Sequence, residues 1–133
     1  MTIAIQQIDH LVLTVVDIDA TVDFYVRVLG MKKVVFGDPP RTALAFGAQK
    51  INLHPAAAPF EPRAECATPG SADLCFIADT PLDTVIATLH DAGVDIIEGP
   101  VDRSGATGGL RSVYIRDPDA NLIEISNRQE TMA

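Results

Sequence analysis

Asp9-His10-Leu11-Val12-Leu13 and Ala72-Asp73-Leu74-Cys75-Phe76 lie 63 residues apart and read as one strand written twice. At the same spacing Val22, Val26, Leu29 and Gly30 fall on Val85, Leu89, Ala92 and Gly93. A second spacing, 70 residues, lays Arg41 to His54 on Arg111 to Glu124, with Thr42, Ala43 and Ala45 meeting Ser112, Val113 and Ile115. His10 thereby matches Asp73, and His54 matches Glu124. Self-similarity of this kind marks one supersecondary unit used twice. Because the matched positions carry two imidazoles and two carboxylates among strand-like apolar residues, the repeat predicts a pseudo-two-fold site for a divalent cation.

Outward from the first strand, Ile8 to Val15 alternates two faces, with His10, Val12 and Thr14 on one and Leu11, Leu13 and Val15 on the other. Asp17 and Asp19 are candidate caps for a helix whose stripe is Val22, Tyr25, Val26 and Leu29 and whose end is Gly30. Three strands are expected next, at Met31 to Phe36, Thr42 to Phe46 and Lys50 to His54, separated by Gly37-Asp38-Pro39-Pro40 and Gly47-Ala48. Pro55 to Gly70 holds four prolines and no periodicity, which predicts a surface linker.

The pattern then restarts. Ala72 to Ala78 repeats the first strand, and Thr80-Pro81-Leu82-Asp83 predicts a helix start with Thr80 as N-cap, followed by the stripe Leu82, Val85, Ile86, Leu89 and the stop Gly93. His90 at the polar end of this helix suits the negative end of the helix dipole. A short strand at Asp95 to Ile97, a Gly-rich mobile loop at Arg103 to Gly109, and a hairpin of Ser112 to Arg116 with Asn121 to Ser126 complete the chain. The loop accounts for the longer second spacing and is expected to form a mouth or lid. The fold class that follows is α+β, two tandem βαβββ modules (about 7–54 and 71–127, with linker 55–70) making one domain with a cupped, mostly antiparallel sheet and helices outside.

At 133 residues the chain can bury a core without a disulfide or structural metal, so a bound metal would serve function. A net charge of −8 repels phosphate backbones and anionic lipid, which disfavours nucleic-acid and membrane-surface roles. No signal peptide or transmembrane run is readable, so a cytoplasmic location is the expectation. Cys66 and Cys75 form no Cys-x-x-Cys pair and are expected to be reduced thiols.

The stretches Phe24-Tyr25-x-x-Val28-Leu29-Gly30-Met31 and Arg116-Asp117-Pro118-Asp119-x-Asn121-Leu122-Ile123-Glu124, with the strand carrying His10, resemble the vicinal oxygen chelate superfamily over essentially the whole chain. That superfamily includes glyoxalase I, fosfomycin-resistance and bleomycin-binding proteins and extradiol dioxygenases. More narrowly, Ala43 to His54 and Thr68 to Cys75 resemble the branch called glyoxalase domain-containing protein 5, whose bacterial relatives are sometimes labelled virulence proteins. The resemblance implies a divalent metal (Zn, Ni, Co, Mn or Fe) held by His10, His54, Asp73 and Glu124. Asp73 stands where the superfamily usually has His, which shifts the donor set toward oxygen.

The implied activity is that of a glyoxalase-like lyase or isomerase acting on a small oxygenated metabolite. Glu124 or a metal-bound hydroxide would remove a proton alpha to a carbonyl, and the metal would stabilise an enediolate. Arg41, Phe46, Asn52, Arg111, Tyr114 and Arg116 are the candidate substrate contacts. Singly, each has an ordinary explanation: Arg41 and Arg111 as exposed hairpin residues, Asp73 as a turn cap after Gly70-Ser71. Two alternatives stand beside the lyase: an Fe(II) extradiol-type dioxygenase, and a metal-free protein that binds a small molecule or antibiotic. A homodimer is expected, because a two-fold contact covers exposed sheet edges in both copies at once.

Overall fold

In the computed structural model, which describes residues 1–129, each half of the chain folds as its own βαβββ unit, the first running Met1–Pro69 and the second starting at Gly70. The first unit contains β1 (His10–Val15), α1 (Ile18–Asp23), β2 (Lys32–Phe36), β3 (Arg41–Phe46) and β4 (Gln49–Pro55). The second contains β5 (Asp73–Ile77), α2 (Leu82–Asp91), β6 (Glu98–Gly105), β7 (Gly108–Arg116) and β8 (Leu122–Arg128). Each sheet has four strands, in the orders β1-β4-β3-β2 and β5-β8-β7-β6, with one parallel pair and two antiparallel pairs. The parallel pair is forced by topology: the helix carries the chain back over one face before the next strands are laid down.

One face of each sheet is apolar and lies under its helix. In the first unit Leu11 and Leu13 face the same way as their partners Ile51 and Leu53, joined by Leu44 opposite Ile51. Leu13, Leu44, Ile51 and Leu53 are buried, as are Tyr25 and Val28 from the helical segment. In the second unit Leu74 and Phe76 pair with Ile123 and Ile125, and α2 buries Leu82, Val85 and Leu89. Complete burial of a Leu or Ile side chain contributes about 1.5–3 kcal/mol, so this layer is the main source of stability in each unit.

Asp17 caps α1 by accepting from Ala20 N, as its position before the apolar stripe implies. The helix then runs on as a π-helical turn, Phe24–Val28, and both helical segments end at glycines with φ of 72°, Gly30 and Gly93. The second helix departs from expectation. Thr80 does not cap it; the helix begins after Pro81, and Leu82 N donates to the side-chain oxygen of Asn127 on β8. Asn127 also donates to the carbonyls of Ala78 and Thr80, so one amide from a distant strand replaces the local cap.

The Gly-rich stretch is not a loop. Arg103 to Gly109 is the tip of the β6–β7 hairpin, where Arg103 pairs with Leu110, Ser104 with Gly109 and Gly105 with Gly108. At Gly105 the two backbones approach closely, and an added Cβ would meet the Gly108 carbonyl oxygen at 2.7 Å. The expected Asp95 to Ile97 strand falls just before β6, which starts at Glu98. Residues 56–69 carry turns and bends and no strand or helix, as their prolines predict. Among the described residues, no helix is long and apolar enough to cross a membrane.

Candidate functional site

The opposite face of each sheet carries the polar residues, and strand register decides which of them meet. In the first sheet His10 pairs with Lys50, Val12 with Asn52 and Thr14 with His54. In the second, Asp73 pairs with Leu122 and Cys75 with Glu124. If Asp73 is the counterpart of His10, then Leu122 is the counterpart of Lys50, and Glu124 that of Asn52. The last strands therefore superpose at a shift of 72 residues, not 70. His54 matches Ser126 instead.

The same correction applies to β3 and β7. Ala43 pairs with Asn52 and Tyr114 with Glu124, a shift of 71, which makes Ser112 the counterpart of Arg41. A slip of one residue moves a side chain to the other face. Arg111 accordingly lies on the helix side with Val113, where it ion-pairs with Asp102 at 3.1 Å. That contact and a hydrogen bond from Gln129 hold the Asp102 carboxyl below its usual range, the Gln129 bond contributing most. Phe46, two residues from Leu44, is also on the helix side. Asn52, Arg41, Tyr114 and Arg116 share the polar faces as expected.

Within the first unit, the β1 residue beside His54 is Thr14, four residues from His10 and so about 13 Å along the strand. The two imidazoles are not neighbours. His10 is exposed, with Nδ1 2.8 Å from Asp9. His54 is buried, and its ring packs edge-on against Phe60 at 5.4 Å between centroids. Burial, and then the Arg41 guanidinium, hold the His54 pKa below its usual value, against a smaller opposing effect of Glu61. Asn52 is buried with its Oδ1 lacking any protein hydrogen-bond partner.

In the second unit Asp73 and Glu124 are diagonal neighbours on the parallel β5–β8 pair, two residues apart in register and about 7 Å along the strand. Glu124 is held from below. Ser112 Oγ donates to its Oε2 at 2.6 Å, Ser126 Oγ lies 3.4 Å from the same oxygen, and the two hydroxyls are 2.6 Å apart. Cys75 stands directly opposite Glu124 with its Sγ 3.4 Å from Ser126 Oγ, and burial pushes its thiol pKa up. A cavity of about 340 Å³ opens on this face, lined by Cys75, Ile77, Thr107, Leu110, Glu124 and Arg128. Arg103 donates to the Tyr114 hydroxyl at 2.9 Å and ion-pairs with Glu98.

The donor chemistry fits a divalent cation best in the second unit, where two carboxylates share a face and one is already oriented by hydroxyls. In the first unit the matching positions are His10 and Asn52, whose orphaned Oδ1 is an available hard donor. Among the described residues, no three His, Cys, Asp or Glu side chains are gathered as a ready-made cluster. Ser112, Ser126 and Phe60 were not singled out as site residues from the sequence. The two serines follow from the alternation of β7 and β8 once the register is known, whereas Phe60 lies in the aperiodic linker and left no pattern to read.

A profile of the glyoxalase/bleomycin resistance protein/dioxygenase superfamily matches residues 7–125, and the chain belongs to that superfamily. It is 60% identical over 122 residues to virulence protein STM3117 of Salmonella typhimurium, covering 92% of this chain and 84% of that one. It is 48% identical over 128 residues to the glyoxalase domain-containing protein RDO1 of Mycosarcoma maydis, covering 96% and 72%. The crystal structure of STM3117 superposes with a TM-score of 0.93 over 96% of this chain and 100% of that one, at 57% identity. A lactoylglutathione lyase from Agrobacterium tumefaciens shares the fold at a TM-score of 0.70 and 23% identity, covering 93% of this chain and 95% of that one.

Proposed function

We propose that the chain is a metal-dependent lyase or isomerase of glyoxalase type, within the glyoxalase domain-containing branch, acting on a small oxygenated metabolite. The observation that carries this is Glu124: a carboxylate at the polar face, anchored through one oxygen by Ser112 and Ser126, with a second carboxylate, Asp73, beside it. The serines fix one carboxylate oxygen, and Tyr114 and Cys75 also stand within hydrogen-bonding reach of Glu124, so the carboxylate is oriented from three strands. Asp73 and Glu124 would hold the divalent ion in the second unit, with His10 and Asn52 the corresponding residues of the first.

When bound, the metal supplies Lewis-acid polarisation of a substrate carbonyl oxygen. In a substrate with a hydroxyl on the carbon next to the carbonyl, Glu124 would take the proton from the hydroxyl-bearing carbon and return it to the carbonyl carbon, the hydroxyl proton passing to the former carbonyl oxygen so that the two groups exchange places, while Ser112 keeps the carboxylate from swinging away. Tyr114, directly opposite Glu124, bounds the space from β7. The apolar part of the cavity, Ile77 and Leu110, excludes water from the carbon skeleton.

The cavity also suits the simpler function of a binding protein without chemistry. The two separate on proton exchange. Incubated in D2O with a panel of 2-oxo and 2-hydroxycarbonyl compounds, the wild type exchanges the alpha hydrogen of at least one compound faster than buffer, and Glu124→Gln does not. Ligand binding without exchange in the metal-loaded wild type leaves only the binding function.

A further inference from the structure

The polar face of the first sheet is cationic in an acidic chain. His10, Val12, Thr14, Lys50, Asn52 and His54 occupy it from β1 and β4, Arg41, Ala43 and Ala45 from β3, and Lys32, Val34 and Phe36 from β2. Three of these strand positions are Lys or Arg and none is Asp or Glu, although acids outnumber bases 18 to 10 in the whole chain. Charge partitioned in this way focuses a positive potential on one surface and draws anions to it.

Arg41 is the specific feature of that surface. It stands one step beyond the Thr42–Leu53 pair, opposite His54. Its Cζ lies 5.0 Å from the centroid of Phe60, and the same ring packs on His54 at 5.4 Å. The Nε of Arg41 is buried and has no hydrogen-bond partner. A guanidinium donor is normally paired when buried, and a carboxylate is the partner whose planar oxygens match its Nε–Nη edge. The contact holding Phe60 is a cation–π interaction, weaker than a two-point bond to a carboxylate. The ring sits on residues 56–69, which no strand or helix ties down.

We infer that Arg41, His54 and Phe60 form a subsite for a monocarboxylate, with the Phe60 ring as a cover that the ligand's carboxylate displaces from the guanidinium. The subsite is complete within the first unit and goes beyond the function proposed above, adding a monocarboxylate ligand of its own. A monoanion is favoured over a phosphate or phosphonate dianion because a single guanidinium meets it and Glu61 adds negative charge close to His54.

The test uses propionate, its neutral isostere propionamide, and inorganic phosphate, titrated into the full chain with NMR detection of the Arg41 side-chain N–H and the Phe60 ring protons. Propionate binds and shifts both signals, while propionamide and phosphate bind about tenfold more weakly or not at all. Arg41→Gln loses propionate binding by a similar factor. Arg41→Lys, which keeps the charge and the fold but lacks the fork, loses part of it. Equal affinity for propionate and propionamide, tighter binding of phosphate, or unchanged binding in either variant overturns the proposal. The titration is repeated in Glu124→Gln. Arg41-dependent binding retained there upholds the subsite even if Glu124 proves to have no chemistry. Loss of Arg41 dependence in the wild type sinks the subsite while leaving the proton-exchange result to stand by itself.

Discussion

Ser112 Oγ donates to Glu124 Oε2 at 2.6 Å across the β7–β8 pair, and both side chains share the polar face of the second sheet. A hydroxyl so placed would orient Glu124 for the divalent ion proposed above. Ser112→Ala is expected to lower divalent-metal affinity about tenfold or more and, because the part-buried Glu124 and buried Ser126 oxygens lose a partner, to cost roughly 1–3 kcal/mol of stability. Metal titration by calorimetry checks it, and equal affinities would show that the serine pair is merely a buried polar contact.

The register makes Asn52, and not His54, the first unit's counterpart of Glu124. Asn52→Asp, which adds a carboxylate at that position, is expected to strengthen divalent-metal binding. His54→Gln is expected to leave it unchanged within error. A loss of metal in His54→Gln greater than that in His10→Ala would restore the assignment made from sequence spacing.

His54 should make stability depend on pH. Its folded pKa lies below its unfolded value near about 6.5, so the unfolded chain binds the proton more readily. The stability associated with the neutral ring is present above that unfolded value and is lost as pH falls through the folded pKa. Urea midpoints measured from pH 7.5 downward should fall more steeply in wild type than in His54→Gln. Parallel profiles would mean that the imidazole is not desolvated.

Asp117 and Asn121 form a buried clasp at the β7–β8 turn. Asp117 Oδ1 accepts from the backbone N–H groups of Asp119 and Asn121, its Oδ2 accepts from Asn121 Nδ2, and Asn121 Oδ1 accepts from Ala72 N. Asn121→Ala strands a buried carboxylate oxygen and a backbone donor, and is expected to cost roughly 2–4 kcal/mol. Chemical denaturation measures this directly. A loss under about 0.5 kcal/mol would place the clasp among ordinary surface contacts.

The alternation of Leu11 with Leu13 and of Ile123 with Ile125 was legible because a two-residue period needs no knowledge of partners. The βαβββ order, repeated, followed from it. Register was not legible. The spacing of 70 rests on matched residue types, yet hydrogen bonding sets the shift at 71 for β3 onto β7 and 72 for β4 onto β8, and the odd shift carries Arg111 off the polar face. Gly105 read as part of a loop because glycine at a close strand approach and glycine in a loop look alike in one dimension. Asn127 capping α2 from β8, and Phe60 covering Arg41, are contacts between distant residues with no local signature.

Light scattering should report a homodimer, since β1 and β2 edge the first sheet, β5 and β6 edge the second, and Val34 and Val35 on the edge strand β2 are exposed. A monomer at high concentration would contradict it.

Metal content per chain, measured on protein purified without a chelating column and reconstituted with a panel of divalent ions, tests the central claim most directly. The account predicts about one equivalent per chain in wild type, lost or strongly reduced in both Asp73→Asn and Glu124→Gln, with the fold retained by circular dichroism. Full metal content in both variants, or no metal taken up by the wild type from any ion of the panel, would contradict it.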